Sequence, residues 1–166
     1  MTRIIGIDPG TLVTGYGIIE YSDNSYQAVD YGCIRPPAKM LLSERYRIIY
    51  EGVQKLIKKY TPTQMSIESI FYSKNPLSSI KLGQARGVIL LAASEAGVSI
   101  YEYSPRRIKQ AVVGNGGAAK VQLQGMIKHL LTLDELPEPM DVSDALATAV
   151  CHAQAMHNPM IARSRI

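Results

Sequence analysis

The architecture of this chain is set by residues 3–35, which read RIIGIDPGTLVTGYGIIEYSDNSYQAVDYGCIR. The apolar run at 3–8 ends at the helix breakers Pro9 and Gly10, and this pattern predicts a buried strand. Residues 15–21 and 26–35 predict two more strands, because only the four turn residues SDNS at 22–25 separate them. We therefore expect the chain to begin with an antiparallel meander of three strands.

The hydrophobic period changes after this meander. Apolar residues recur at three- and four-residue intervals from about Ser43 until Pro62, which predicts a helix. Asn75-Pro76 and Ser104-Pro105 each combine an N-cap residue with a first-turn proline and predict two further helix starts. The remaining predicted elements are strands at 65–68 and 99–103 and helices at 119–131 and from about 141 to before 159.

This order of elements predicts one α/β domain built on a mixed β-sheet with helices on both faces. The order is compatible with a ribonuclease-H-like fold. We place the domain at residues 1–158 and treat residues 159–166 as a short C-terminal tail. A length of 166 residues is sufficient for a single domain with a sizeable core.

Composition argues against several classes of protein. The chain has two cysteines, Cys33 and Cys151, and three histidines, with neither a CxxC nor an HxxxH spacing. A zinc enzyme and a secreted disulfide scaffold are therefore disfavoured. The longest purely apolar run, at 88–93, is too short to span a bilayer, and the first ten residues do not resemble a signal peptide. We expect a cytoplasmic protein with no membrane partner.

Four acidic residues fall where predicted elements end or begin. Asp8 and Glu68 end two predicted strands, and Asp141 and Asp144 share one face at the start of the last helix. Carboxylates brought close together repel each other unless a cation or a proton compensates. Oxygen ligands without histidine or cysteine suit Mg²⁺ or Mn²⁺, and a pair of such ions can support phosphodiester hydrolysis.

Each acid also has a structural explanation when it is taken alone. Asp141 would interact favourably with the helix dipole, Asp8 could form an Asx turn, and Glu68 could be exposed. The stretch GIDPGT at 6–11 also resembles the phosphate loop of actin-like kinases and chaperone ATPases. Those proteins need two related lobes, however, and this chain contains no internal repeat. The coincidence of all four acids at sheet ends favours a metal site.

Positive charge is concentrated in the middle of the chain. The whole chain carries a net charge of +4, whereas residues 69–133 contain eight Lys and Arg against two Glu, or +6. Such a segment suits contacts with DNA phosphates. Arg106, Arg107 and Lys109 crowd one turn at a helix start, where positive charge opposes the dipole, so a functional reason is favoured there. Lys81 and Lys128 are explained more simply as solvated helix faces.

Four segments resemble the bacterial RuvC family of Holliday junction resolvases, within a similarity that extends from Ile4 to His157. They are IIGIDPGTLVTGYGII (4–19), IESIFYSKNPLSSIKLGQARG (67–87), YEYSPRRIKQAVVGNGGAAK (101–120) and DVSDALATAVCHA (141–153). The resemblance implies a ribonuclease-H-like fold, a homodimer and a divalent-metal endonuclease that acts on four-way DNA junctions. It also implies the RuvA–RuvB branch-migration complex as a partner.

The resemblance also implies roles for individual residues. Asp8, Glu68, Asp141 and Asp144 match the four catalytic acids, which would hold two Mg²⁺ per subunit, with Mn²⁺ able to substitute. Lys109 and Lys120 match two functionally important lysines beside the scissile phosphate. Phe71 matches an aromatic position that engages DNA bases. The candidate DNA-binding residues are Phe71, Lys74, Lys81, Arg86, Arg106, Arg107, Lys109 and Lys120. The chain departs mildly from the family pattern at Val142-Ser143, where two small apolar residues are usual, and at Ala119, where a polar residue is common.

These observations lead to one main hypothesis and two alternatives. The main hypothesis is a dimeric, Mg²⁺-dependent resolvase that makes paired symmetric nicks and leaves ligatable 5′-phosphate ends. One alternative keeps the chemistry and changes the substrate, as in a ribonuclease H. The other is a non-catalytic module that binds DNA junctions.

Overall fold

A computed structural model describes residues 1–70, 75–157 and 164–166 of the chain. The described strands are β1 (Thr2–Asp8), β2 (Thr14–Ser22), β3 (Ser25–Ile34), β4 (Gln64–Glu68) and β5 (Ser99–Tyr103). The helices are α1 (Leu42–Tyr60), α2 (Pro76–Glu95), α3 (Pro105–Val113), α4 (Lys120–Leu130) and α5 (Met140–Ala155). Every predicted element is present, and the predicted bounds hold within one or two residues, except that α5, expected only to end before Pro159, ends at Ala155.

The five strands form one mixed sheet in the order β3-β2-β1-β4-β5. The first three strands pair in an antiparallel manner and confirm the meander, whereas β4 and β5 extend the sheet in parallel with β1. Because β1 and β4 are parallel neighbours, with Ile7 opposite Ile67, their carboxyl ends reach the same edge of the sheet.

Side chains alternate between the two faces of the sheet and form two separate cores. On one face, Ile5 and Ile7 of β1 pack with buried residues of α1 and α2. On the other face, Ile4 and Ile19 pack with buried residues of α3, α4 and α5. The expectation of helices on both faces is confirmed.

Helix α5 lies unusually close to the centre of the sheet. A Cβ atom added to Gly6 of β1 would lie 2.1 Å from the carbonyl oxygen of Ala145 in α5. Only a residue without a side chain permits this approach, because real Cβ atoms do not come so near another heavy atom. The glycine in the sequence IIGID therefore allows α5 to lie against β1, and the start of α5 reaches the edge where β1 ends.

The predicted helix starts are confirmed by their hydrogen bonds. The side chain of Asn75 accepts from the backbone N–H groups of Leu77 and Ser78, and the Ser104 hydroxyl accepts from the N–H of Arg107. Helix α3 ends at Gly114, whose φ of 78° is in the left-handed region that favours glycine.

The described end of the chain contacts β5. Arg165 forms a bridge with Tyr101, and the backbone N–H of Ile166 donates to the carbonyl of Ile100 at 3.0 Å. The proposed boundary at residue 158 lies outside the described residues. None of the described helices combines the length and the hydropathy needed to cross a bilayer.

Candidate active site

The two strand-ending acids meet at one edge of the sheet. Asp8 is the last residue of β1 and Glu68 is the last residue of β4, the parallel neighbour of β1. Both carboxyl groups are largely buried, and each lies within electrostatic reach of Asp144. The sheet therefore brings together two acids that are 60 positions apart in sequence.

The other two acids arrive on the first turns of α5. Gly15 of β2 lies opposite Asp8 in the sheet, and a Cβ atom at Gly15 would lie 2.1 Å from the backbone oxygen of Asp141. This close approach places the start of α5 beside the end of β1. Both Asp141 and Asp144 act electrostatically on the Asp8 carboxyl group. Asp8 is therefore coupled electrostatically to the other three acids, and the metal-binding role of the four stays a prediction.

The pKa values of Asp8 and Glu68 are both raised. Burial is the main reason that the pKa of Asp8 rises from 3.8 to about 8, and the negative charges of Asp144, Glu68 and Asp141 raise it further. Burial, followed by the charge of Asp144, raises the pKa of Glu68 from 4.5 to about 7. These carboxyl groups therefore hold protons near neutral pH when no cation compensates their charge.

Two lysines border the cluster. The Nζ atom of Lys120, at the first residue of α4, lies 3.1 Å from Oδ2 of Asp144. Lys109 of α3 acts electrostatically on Glu68 and lowers its proton affinity, as Lys120 also does. Glu68, Lys109, Lys120 and Asp144 line one cleft of about 130 Å³ between β4 and the three helices. The cleft therefore brings two lysine side chains, from α3 and α4, together with two carboxyl groups, from β4 and α5.

The donor set fits a hard divalent cation. The four acids supply the oxygen ligands that Mg²⁺ and Mn²⁺ prefer, and burial together with neighbouring negative charge raises the pKa values of two of them, Asp8 and Glu68. Within residues 1–70, 75–157 and 164–166, no three Asp, Glu, His or Cys side chains already have the spacing of a complete metal site.

The remaining basic residues that the sequence singled out lie in different surroundings. Arg86 of α2 forms an ion pair with Glu102 of β5. The guanidinium of Arg107 lies 5.0 Å from the ring centroid of Tyr103, while the stem of Arg106 packs against Gly116. Lys81 is exposed on α2. The predicted DNA contacts of Phe71 and Lys74 fall outside the described residues.

Cys33 is a neighbour of the site that the sequence analysis did not identify. It lies opposite Gly15 at the end of β3. Burial raises the pKa of its thiol, Arg35 opposes this effect, and the charges of Asp141 and Asp8 add to it. The turn at 22–25 alone would pair Gly15 with Gly32, and no sequence signal predicted the irregularity between Ile18 and Ile19 that brings Cys33 opposite Gly15.

Comparisons with known proteins agree with this geometry. The family model described as crossover junction endodeoxyribonuclease RuvC matches residues 4–152. A protein of that name from Protochlamydia amoebophila is 52% identical over 151 residues, covering 91% of this chain and 90% of its own length. One from Halothermothrix orenii is 49% identical, covering 92% of each chain.

Solved structures show the same likeness. The Thermus thermophilus RuvC in complex with a Holliday junction substrate superimposes with a TM-score of 0.87 at 32% identity, covering 92% of this chain and 93% of its own. The yeast mitochondrial Holliday junction resolvase Ydc2 has a TM-score of 0.64 at 14% identity, with 92% of this chain and 79% of its own covered, and shares the fold.

Proposed function

Because this chain belongs to the RuvC family of crossover junction endodeoxyribonucleases, we propose that the edge formed by β1, β4 and α5 is the catalytic centre with which it resolves Holliday junctions. The observation that carries this assignment is the convergence of Asp8, Glu68 and Asp144, with Lys120 bonded to Asp144. An anionic cluster bordered by lysines suits a phosphodiester backbone, whose charge must be balanced during cleavage.

Asp8, Glu68, Asp141 and Asp144 are the residues that would hold the divalent cations. The family's cleavage is metal-dependent, and we assign two Mg²⁺ per subunit to these oxygens, with Mn²⁺ able to substitute. Two such ions supply a lowered pKa for the attacking water and charge compensation at the leaving 3′ oxygen. Partial burial of Asp8 and Glu68 would strengthen their interaction with a bound cation.

The two lysines orient the scissile phosphate. Lys109 and Lys120 line the cleft that also contains Glu68 and Asp144, so a phosphate entering it meets positive charge on α3 and α4. Lys120 forms an ion pair with Asp144 in the DNA-free protein, and this contact holds its Nζ atom beside the acidic cluster. Hydrolysis at this position leaves a 5′-phosphate and a 3′-hydroxyl, which a ligase can join.

The DNA would cross the site from α2 to α3. Arg106 and Arg107 at the start of α3 and Lys81 on α2 would contact the DNA backbone. Arg86 has a carboxylate partner, so a phosphate would have to share it with Glu102. Phe71, which follows Glu68 closely in sequence, would engage an unpaired base near the cut, and Lys74 would add a phosphate contact.

The active form is proposed to be a homodimer. Helix α2 exposes the large apolar side chains of Leu77, Ile80 and Leu91, and a Cβ atom at its Gly87 would contact nothing within 4 Å. An outward face of this composition suits close packing against a second copy. Two opposed sites then make paired symmetric nicks in a junction with two-fold symmetry. We further propose a cytoplasmic location and cooperation with the RuvA–RuvB branch-migration complex.

The assignment is tested with Asp8→Asn on a synthetic four-way junction. Since the amide cannot replace a carboxylate ligand, we expect cleavage to fall by at least about a hundredfold while junction binding is retained. Asp134→Asn is the matched control, because Asp134 is exposed and lies away from the four acids. Retained cleavage by Asp8→Asn contradicts the catalytic centre. Equal cleavage of junction, duplex, flap and RNA–DNA hybrid by the unaltered protein contradicts the substrate.

A further inference from the structure

Two buried polar side chains converge on a single backbone carbonyl behind the candidate active site. The amide nitrogen of Gln124 donates to the carbonyl oxygen of Pro137 at 3.0 Å, and the hydroxyl of Ser143 donates to the same oxygen at 2.7 Å. Gln124 is 5% exposed and Ser143 is 1% exposed. A buried amide or hydroxyl destabilises a protein core unless it is hydrogen-bonded, so these bonds compensate a substantial desolvation penalty.

The three residues link the two helices that carry the site. Gln124 lies one turn after Lys120 on α4, and Ser143 directly precedes Asp144 on α5. Pro137 belongs to the connection that leads into α5. The carbonyl of Pro137 therefore ties the helix with the lysine to the helix with the aspartates, and the 3.1 Å bond between Lys120 and Asp144 bridges the same two helices.

The start of α5 has few other local restraints. Its N-cap residue is Pro139, which makes no side-chain capping hydrogen bond, whereas at the start of α4 the backbone N–H of Ala119 donates to the side chain of Gln122 at 2.8 Å. Most helices gain such a bond from a Ser, Thr, Asp or Asn at this position. Here the position of the first turn of α5 depends on packing and on the Gln124 and Ser143 bonds to Pro137.

Core stability alone does not require a glutamine at position 124. Its neighbours along the buried face of α4 are Leu123 and Ile127, which belong to the same apolar core as Val142 and Leu146 of α5. A methionine would fill a similar volume without any buried donor. The polar side chain is therefore better explained by the geometry that it imposes on α4 and α5.

We propose that Gln124 is a positioning residue that holds α4 in register with the start of α5 through Pro137, and so sets Lys120 against Asp144. Ser143 supports the same carbonyl from α5. This inference rests on the proposed catalytic role of Lys120. Gln124 itself lies behind the site and acts through Lys120 and Asp144.

The test is a double-mutant cycle between Gln124→Met and Lys120→Met, measured as single-turnover cleavage of a four-way junction. Displacing a catalytic group by about an ångström can cost up to about a hundredfold, and we expect Gln124→Met alone to slow cleavage about tenfold. Junction affinity should change less than about twofold, because Gln124 is buried and cannot contact DNA. In the Lys120→Met background, Gln124→Met should have almost no further effect, because the residue that it positions is gone.

Stability provides the readout that separates positioning from a general packing defect. In Gln124→Met the Pro137 carbonyl keeps its hydrogen bond from Ser143, so no buried acceptor is left unsatisfied and the melting temperature should stay close to that of the unaltered protein. Gln54→Met is the matched control, since Gln54 also bonds through its amide, to Tyr50 on α1 across the sheet from α4. We expect wild-type cleavage from Gln54→Met.

The outcomes distinguish the positioning role of Gln124 from the catalytic role of Lys120. An unaltered rate for Gln124→Met, with Lys120→Met slow, overturns the positioning role and leaves the proposed function intact. Equal loss in both backgrounds also overturns it, because the effect then does not pass through Lys120. A normal rate for Lys120→Met contradicts the catalytic role of that lysine instead. Gln124→Glu should slow cleavage more than Gln124→Met does, because it places a negatively charged acceptor next to the carbonyl oxygen of Pro137.

Discussion

The Nζ atom of Lys120 lies 3.1 Å from Oδ2 of Asp144, so the first residue of α4 is joined to the acid on the second turn of α5. Asp144 in turn raises the proton affinity of Asp8 and of Glu68. Lys120 therefore offsets part of the negative charge of Asp144, Asp8 and Glu68. This relationship makes the site responsive to pH, to cations and to the placement of both helices.

Removal of the Lys120 charge should impair cleavage more than binding. In Lys120→Met, the scissile phosphate loses a preorganised cation, and we expect the single-turnover rate to fall about ten- to a hundredfold at saturating junction. Affinity, measured by fluorescence anisotropy, should weaken only slightly because one of several basic residues is lost. Lys128→Met, at the other end of α4, should cleave normally. A variant that loses affinity but keeps its maximal rate would show that Lys120 only binds DNA.

The acidic cluster should make the metal-free protein less stable as pH rises. Carboxyl groups in the unfolded chain ionise near pH 4, whereas folded Asp8 keeps its proton up to a pKa of about 8. The folded state therefore binds more protons between these values, and stability declines as pH increases through them. Asp8→Asn removes this decline, so it should raise the melting temperature at pH 9 and have little effect near pH 4.

The pKa shift of Asp8 sets an upper limit on how much Asp8→Asn can raise the free energy of unfolding at high pH. One pKa unit corresponds to about 1.4 kcal/mol, and we expect a gain on the order of a few kcal/mol at pH 9, below the limit set by the whole shift. Calorimetry in the presence of EDTA measures it, with Asp134→Asn as the control. An Asp8→Asn protein that is less stable than the unaltered one at pH 9 would contradict a protonated, buried Asp8.

Cation binding should release protons. Near pH 7, Asp8 and Glu68 are partly protonated because their pKa values are about 8 and about 7. Binding of Mg²⁺ requires their ionised forms, so we expect release of about one proton per subunit at pH 7 and tighter apparent binding as pH rises from about 6 to about 9. Titration calorimetry in buffers of different ionisation enthalpy measures the number. Glu68→Gln should reduce the number of protons released. Binding heats that do not depend on the buffer would show that the cation binds away from Asp8 and Glu68.

The close contact between β2 and α5 should be intolerant of a single methyl group. In Gly15→Ala, the new Cβ would lie 2.1 Å from the backbone oxygen of Asp141, so α5 must shift away from the end of β1. We expect a loss of stability of about 1–3 kcal/mol or more and a large loss of cleavage. Denaturant unfolding and junction cleavage measure the two effects.

Gly125→Ala is the matched control for that contact. A Cβ at Gly125, inside α4, meets nothing within 4 Å, and alanine favours a helix over glycine by about 0.5–1 kcal/mol. We therefore expect unchanged or slightly increased stability together with normal cleavage. If Gly15→Ala behaved like Gly125→Ala, the approach of α5 to β2 would not position Asp141.

The sequence was sufficient to predict the strands, the helices and the edge where the acids meet. Strand ends and helix starts carry local signals, such as Pro9 after Asp8 and the capping residues Asn75 and Ser104. The bond between Lys120 and Asp144 was not predictable in this way, since it joins residues 24 positions apart through the packing of two helices.

Other parts of the site depended on contacts that have no local pattern. The convergence of Gln124 and Ser143 on the Pro137 carbonyl requires the tertiary arrangement of α4 and α5. Cys33 reached the site only through the register of β3. The DNA-contact roles of Phe71 and Lys74 stay predictions, because these residues lie outside the described part of the chain.

The central claim is that this chain cuts four-way junctions with a cation held by the four acids. Single-turnover cleavage of a synthetic mobile junction, with Mg²⁺ added or removed by EDTA and the products treated with ligase, tests it most directly. We predict two symmetric nicks that appear only with Mg²⁺ and that ligase seals without prior phosphorylation. Cleavage that persists in EDTA, or that is equally fast on a linear duplex of the same sequence, would contradict the claim.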